Sequence, residues 1–214
     1  MRGHALHIVV AVATVAFAPG HAFAQSGELI ERTMAIVGGQ VITLSDVRTV
    51  MALGMVDQAR AGSIDAATEQ LVDRLLVLRE VQRYLPPEPS DAQIDAELDK
   101  IRLRVSQGPL TAALNAGGFS EARLRSWLRD DVRIAAYLGQ RFAAVGVPSD
   151  EDVRAYFTSH RDEFDRKQQS VEAAANDIRD RLSGERRAQL ITDWIQDLRR
   201  RTTVVELWKA PPQP

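Results

Sequence analysis

"RTMAIVGGQVITLSDV", Arg32 to Val47, is the stretch whose reading decides the fold. Two short runs rich in β-branched residues flank Gly38-Gly39, and glycine tolerates the positive φ that a two-residue hairpin connector demands. The stretch predicts a strand over Ile30–Val37, a turn, and a return strand over Gln40–Thr43. Ser45 then caps a helix, with Asp46 suited to its positive end. A lone hairpin is marginal in water. The other β-rich run is "TTVVELW", Thr202–Trp208, at the far end of the chain. Thr203–Leu207 is therefore expected to pair with the hairpin. The two ends would close a mostly α domain with a small antiparallel sheet.

Between those ends the apolar residues recur at helical spacing. The helix that Ser45 starts is expected to reach about Ala61, with Val47, Val50, Met51 and Gly54 on one face. A second covers about Asp65–Leu85, with Leu71, Val72, Leu75, Leu76, Leu78 and Val81 inward, and Pro86-Pro87 ends it. Ser90 and Gln93 form a capping box before a third helix, Asp91–Ser106, carrying Ile94, Leu98, Ile101 and Val105. A short helix follows at Leu110–Asn115 and stops at Gly117-Gly118. Ser120 caps a long one to about Phe142, with Leu124, Trp127, Leu128, Val132, Ala135, Leu138 and Phe142 on one face. Ser149 and Asp152 begin another, through about His160. The last runs Val171–Arg201, with Ile178, Leu182, Leu190, Ile191, Trp194 and Leu198 inward and Gly184 loosening its middle.

The first residues read as a secretory leader. Arg2 precedes a nearly unbroken apolar run, Ala5–Ala18, too short to span a bilayer. Pro19-Gly20 breaks it, and Ala22-Phe23-Ala24 is a small-x-small cleavage site. The expected layout is a signal peptide over 1–24 cleaved after Ala24, one helical domain over 25–208, and a frayed tail over 209–214, in an exported protein. No later run is apolar enough to cross a membrane, so no integral span remains after cleavage.

Composition excludes several chemistries. There is no cysteine, hence no disulfide, thiol nucleophile or thiolate metal site. The formal net charge of −2 is no nucleic-acid footprint. No Walker-type glycine loop is present. Three of the four histidines, His4, His7 and His21, lie in the leader. The fourth, His160, reads as a surface residue at the negative end of a helix. Asp130-Asp131 and Asp150-Glu151-Asp152 read as solvated faces or caps rather than an acid–base pair in a pocket. No catalytic residue, metal or cofactor is expected, and the chain reads as a non-enzyme.

Several motifs, taken in order, resemble SurA-type periplasmic chaperones. "MAIVGGQVITLSDV" resembles their opening strand, turn, strand and helix start. "QLVDRLLVLREV" (Gln70–Val81) and "SDAQIDAELDKIRLRV" (Ser90–Val105) resemble their second and third helices, and Phe119–Phe142 the long helix after them. Pro148–Phe164 resembles the segment that leads into a parvulin-type prolyl isomerase domain in that family, and Arg186–Leu207 the closing helix and strand. The match departs at one place: only "DRKQQS" stands between Phe164 and Val171, far too little for a folded domain. The resemblance thus implies the helical chaperone module without its isomerase. It implies ATP-independent binding of unfolded exported polypeptides, outer-membrane-protein precursors among them, and it leaves a homodimer open. The competing expectations are a degenerate prolyl isomerase and a structural adaptor or swapped dimer in the cell envelope.

A holdase without nucleotide needs an exposed apolar surface with adaptable side chains. "VMALGMV" (Val50–Val56) supplies methionines, which suit promiscuous contacts. Met51, Leu53 and Met55 are the candidate peptide-binding residues on the first helix, with Met51 and Met55 expected one turn apart. Trp127 and Tyr137 on the long helix complete the set.

Overall fold

The computed structural model describes residues 31–57, 59–105, 110–144 and 146–209. The expected leader over 1–24, the start of the first strand at Ile30, and the tail beyond Lys209 lie outside those residues. Eleven elements follow in order: β1 (Thr33–Val37), β2 (Gln40–Thr43), α1 (Leu44–Ala52), α2 (Ile64–Tyr84), α3 (Asp91–Arg104), α4 (Leu110–Ala116), α5 (Glu121–Arg141), α6 (Asp150–Ser159), α7 (Arg161–Arg166), α8 (Val171–Arg201) and β3 (Val204–Glu206).

The fold is mostly helical with one small antiparallel sheet of order β2-β1-β3. Gly38 and Gly39 turn the hairpin with φ of +52° and +91°, the double positive φ of a type I′ connector. β3 pairs with β1 in the expected place: Ala35 faces Glu206, Ile36 faces Val205 and Val37 faces Val204. Two further bonds extend the clasp, Gly38 N to Thr203 O at 2.9 Å and Leu207 N to Met34 O at 2.8 Å. Ala35, Val37 and Ile42 turn inward onto α2, so the hairpin gains the third strand and the helical cover it needs.

The start of α1 differs from expectation. Its N-cap is Thr43, not Ser45: Thr43 Oγ1 accepts from Asp46 N at 3.2 Å, and Thr43 N donates to Asp46 Oδ2 at 3.1 Å, a complete capping box. Ser45 donates its hydroxyl to Glu31 instead, at 2.7 Å. The end differs more. α1 stops at Ala52 because Gly54 takes φ +61°, with Gly54 N bonded to Met51 O at 3.1 Å and Met55 N to Val50 O at 2.8 Å. That pair of bonds is a Schellman motif. Met55 lies beyond the helix, not one turn along it from Met51.

Among the described residues, three apolar clusters hold the fold together. The first joins the sheet, α1, α2, Tyr137 of α5 and the C-terminal half of α8. The second joins Leu53, α3, α4, Phe119 and the first half of α5. Ion pairs reinforce the first cluster and bind it to the second, forming one body. Arg199 reaches Asp73 at 2.6 Å and Glu69 at 2.7 Å, tying α8 to α2. Arg123 reaches the buried Asp46 at 2.6 Å, tying α5 to the α1 cap.

The third cluster is a separate lobe of Val153, Phe157, Phe164, Ala174 and Ile178. It contains α7, a helix not anticipated in the run after His160, which lengthens the α6–α8 connection without adding a domain. α8 is continuous through Gly184 and joins lobe to body. Counting about 100° per residue, its lobe-facing Ala174, Ile178 and Leu182 and its body-facing Trp194 and Leu198 lie on roughly opposite sides. The turns between them, 184–190, are exposed, including Leu190, which was expected to point inward. Neither core reaches that far along the helix. Among the described residues no helix is long and apolar enough to cross a membrane.

Candidate functional site

The Schellman turn decides where the site lies. By ending α1 at Ala52 it swings Met55 out of the helix and over the junction of α3 and α5. Arg104 near the end of α3 pins the turn, donating from Nη1 to Gly54 O at 2.9 Å. Beneath Met55, α3 and α5 leave a cleft of about 360 Å³. Its floor is Ile101, Leu128, Val132 and Ala135, and its rim is Glu97, Arg104 and Asp131. Ala135 was expected in the core. It is exposed, and its short side chain leaves the room that a larger residue would fill.

The rim residue Asp131 is held from behind by a stacked cation. The Arg74 guanidinium lies 3.9 Å from the Trp127 ring centre, donates from Nη2 to Trp127 O at 3.1 Å and from Nε to Asp131 Oδ1 at 2.7 Å. Burial pushes the Asp131 and Asp130 carboxyls above the ordinary aspartate range, and Arg74 pulls both the other way. The cleft thus has an apolar floor and a rim whose charges are already engaged. That geometry receives an apolar side chain without demanding a specific polar partner.

The five candidate residues separate clearly. Met55 and Trp127 are half-buried, and each packs against both the first and second clusters, at the seam of the body. Met51 is half-buried against the first cluster alone. Leu53 is fully buried in the second cluster and offers no surface; its backbone N–H closes α1 by bonding Thr49 O at 2.9 Å. Tyr137 is buried on the opposite side of α5 from the cleft, among aromatic rings. The cleft therefore brings Met55 together with Ile101, Leu128, Val132 and Ala135. Helical periodicity had placed the last three, with Ile101, simply inside. The available signal was the pairing of Ala135 with the tapering end of the α3 stripe.

His160 sits where its sequence context put it, exposed at the C-terminal end of α6. It stacks on Tyr156 with ring centres 4.0 Å apart. Among the described residues no group of three His, Asp or Glu side chains is placed to hold a metal ion.

No family model matches the sequence, and no curated protein matches it. Among solved structures, the chain is similar to one from Campylobacter jejuni, from work describing the virulence factor PEB4 and the periplasmic protein Cj1289 as two structurally related SurA-like chaperones. The identity is 12% and the TM-score 0.49, with 83% of this chain and all of that chain covered.

Proposed function

We propose that this chain is an ATP-independent chaperone that holds unfolded exported polypeptides, outer-membrane-protein precursors among them, in the periplasm. The observation that carries the reading is the cleft between α3 and α5, apolar on its floor, open to solvent and covered at one side by a half-exposed methionine. The order of motifs along the chain supports it independently. Weak, unspecific burial of one client side chain at a time fits a holdase, whose work comes from binding unfolded chains better than folded ones. Met55 is the adaptable contact, and Ile101, Leu128 and Val132 are the surface it covers. Trp127 supports the rim by stacking on Arg74, which holds Asp131. Met51, Leu53 and Tyr137 support the contact from behind.

The test is suppression of aggregation of an unfolded β-barrel precursor by a stoichiometric amount of this protein. Suppression that weakens in Met55→Glu, with helix content unchanged, is the expected result. Absence of both suppression and binding to unfolded peptides rejects the proposal. Acceleration of prolyl isomerisation in a model peptide would point to the enzyme reading instead.

A further inference from the structure

A second surface lies on the far side of α5 from the cleft. Four rings run from Tyr84 through Tyr137 and Trp194 to Phe142, with centres 5.5, 6.0 and 5.7 Å apart. The run is closed in its middle and open at its ends. Tyr137 and Trp194 are 7% and 9% exposed, whereas Tyr84 is 63% exposed and Phe142 half-buried. Leu85 beside Tyr84, and Leu190 one turn before Trp194, extend the exposed apolar area.

Two charged groups act on Tyr137 in this patch, Glu80, which is already paired with Arg83 and Arg201, and Arg141. The exposed Arg141 lies over the rings of Trp194 and Phe142, at 5.0 and 5.6 Å from their centres, and its Nη1 reaches Tyr137 Oη at 3.4 Å. Among the described residues it has no carboxylate partner, in contrast to Arg74, Arg123 and Arg199, which each stand in ion pairs. Stacking takes water from the guanidinium faces but leaves its N–H edge free for a carboxylate. Beneath it, the Trp194 indole N–H is buried with no acceptor. The patch therefore offers ring surface at its ends and an unmatched cation at its centre.

On the reading that the chain holds unfolded polypeptide, we propose that this patch is a second client contact. It takes a segment with an aromatic side chain next to Asp or Glu. The ring adds to the Tyr84–Phe142 run at the spacing aromatic pairs prefer, and the carboxylate pairs with Arg141. A basic neighbour is repelled.

Short peptides, identical except for a central Phe-Asp, Phe-Asn, Leu-Asp or Phe-Lys pair, test this by calorimetry with the full chain. The Phe-Asp peptide is expected to bind about three- to fivefold tighter than Phe-Asn, the scale of an exposed ion pair. Phe-Lys binds weakest. Arg141→Gln, at an exposed site, erases the Asp–Asn difference and keeps the Phe–Leu difference; Tyr84→Ser lowers the latter. Equal binding of Phe-Asp and Phe-Asn, or a difference that survives Arg141→Gln, overturns the proposal. If binding responds to Met55→Glu but not to Arg141→Gln, the cleft stands and this patch falls. If no peptide binds, both fall.

Discussion

The body and the lobe are held by different means. The body buries two apolar clusters and fastens them to each other with ion pairs that each have one member withdrawn from water, Arg74 with Asp131 and Arg123 with Asp46. The lobe buries five side chains around the stacked pair Phe157 and Phe164, and ties its helices with exposed pairs such as Arg179 with Asp150 and Arg186 with Asp152. Pairs of the second kind contribute little. A segment this short does not carry an independent core. The lobe therefore depends on α8 to stay folded, and the body, which holds both candidate contacts, does not depend on the lobe.

The largest effects test that asymmetry. Leu76→Ala, at a fully buried position of the first cluster, should cost about 2–5 kcal/mol and lower the urea midpoint of the whole body. Trp127, Trp194 and Trp208 all lie in the body, so their fluorescence reports it. Ile178→Ala removes a comparable side chain from the lobe. It should lower helix content by circular dichroism while the tryptophan transition stays in place. If both variants shift the tryptophan transition equally, the two regions are one cooperative unit and the comparison breaks.

A smaller loss tests how tightly the body is fitted. Gly117 lies against Thr49 of α1, where an added Cβ would collide with the threonine side chain. Gly117→Ala should cost about 1–3 kcal/mol, the range of overpacking. Thr49 is buried in the body and has little room to yield. An unchanged urea midpoint would mean that the α4–α5 turn adjusts freely.

Acid should separate the regions by sign. In the body, burial holds the Asp73, Asp130 and Asp131 carboxyls above their ordinary range, opposed by Arg199 or Arg74. Groups raised in this way add stability that is present below the unfolded aspartate pKa and lost as pH rises through the folded value. In the lobe the direction reverses. The Ser149 cap lowers Asp152, the Lys167 hydrogen bond lowers Glu163, and the α8 N-terminus lowers Glu172. Their contribution is present above the unfolded carboxyl values and lost as pH falls through the folded ones. Glu31 and Asp57 follow the lobe's direction within the body, at its surface. Acidification below the carboxyl range should therefore melt helix before it changes tryptophan emission. Simultaneous changes would contradict the assignment.

The same contrast explains what was legible in the sequence. The hairpin, the clasp with β3 and the caps at Ser90, Ser120 and Ser149 are local chemistry written in a few adjacent residues, and the structure has them as expected. The cleft is not local. It arises because Gly54 ends α1 through a left-handed turn, a choice that helical periodicity hides when the glycine falls in phase with the apolar face. Counting residues along α8 puts its two apolar sets on opposite sides, but it could not reveal that each side meets a different core, since an apolar stripe shows that a helix is buried but not by what. Leu190 fits the stripe and meets neither core.

The smallest effect bears on α8 itself. Gly184 lies in its exposed middle, where an added Cβ meets nothing within 4 Å. Gly184→Ala removes backbone freedom from the unfolded chain and should stabilise the helix by about 0.5–1 kcal/mol. That gain has no contact through which to act on either core. It should appear as slower amide exchange in 184–190 and as closer coupling between lobe and body, with the lobe melting nearer the body's midpoint. Slower exchange with the two midpoints unmoved would show that the lobe fails by its own weak packing, with α8 intact as it opens.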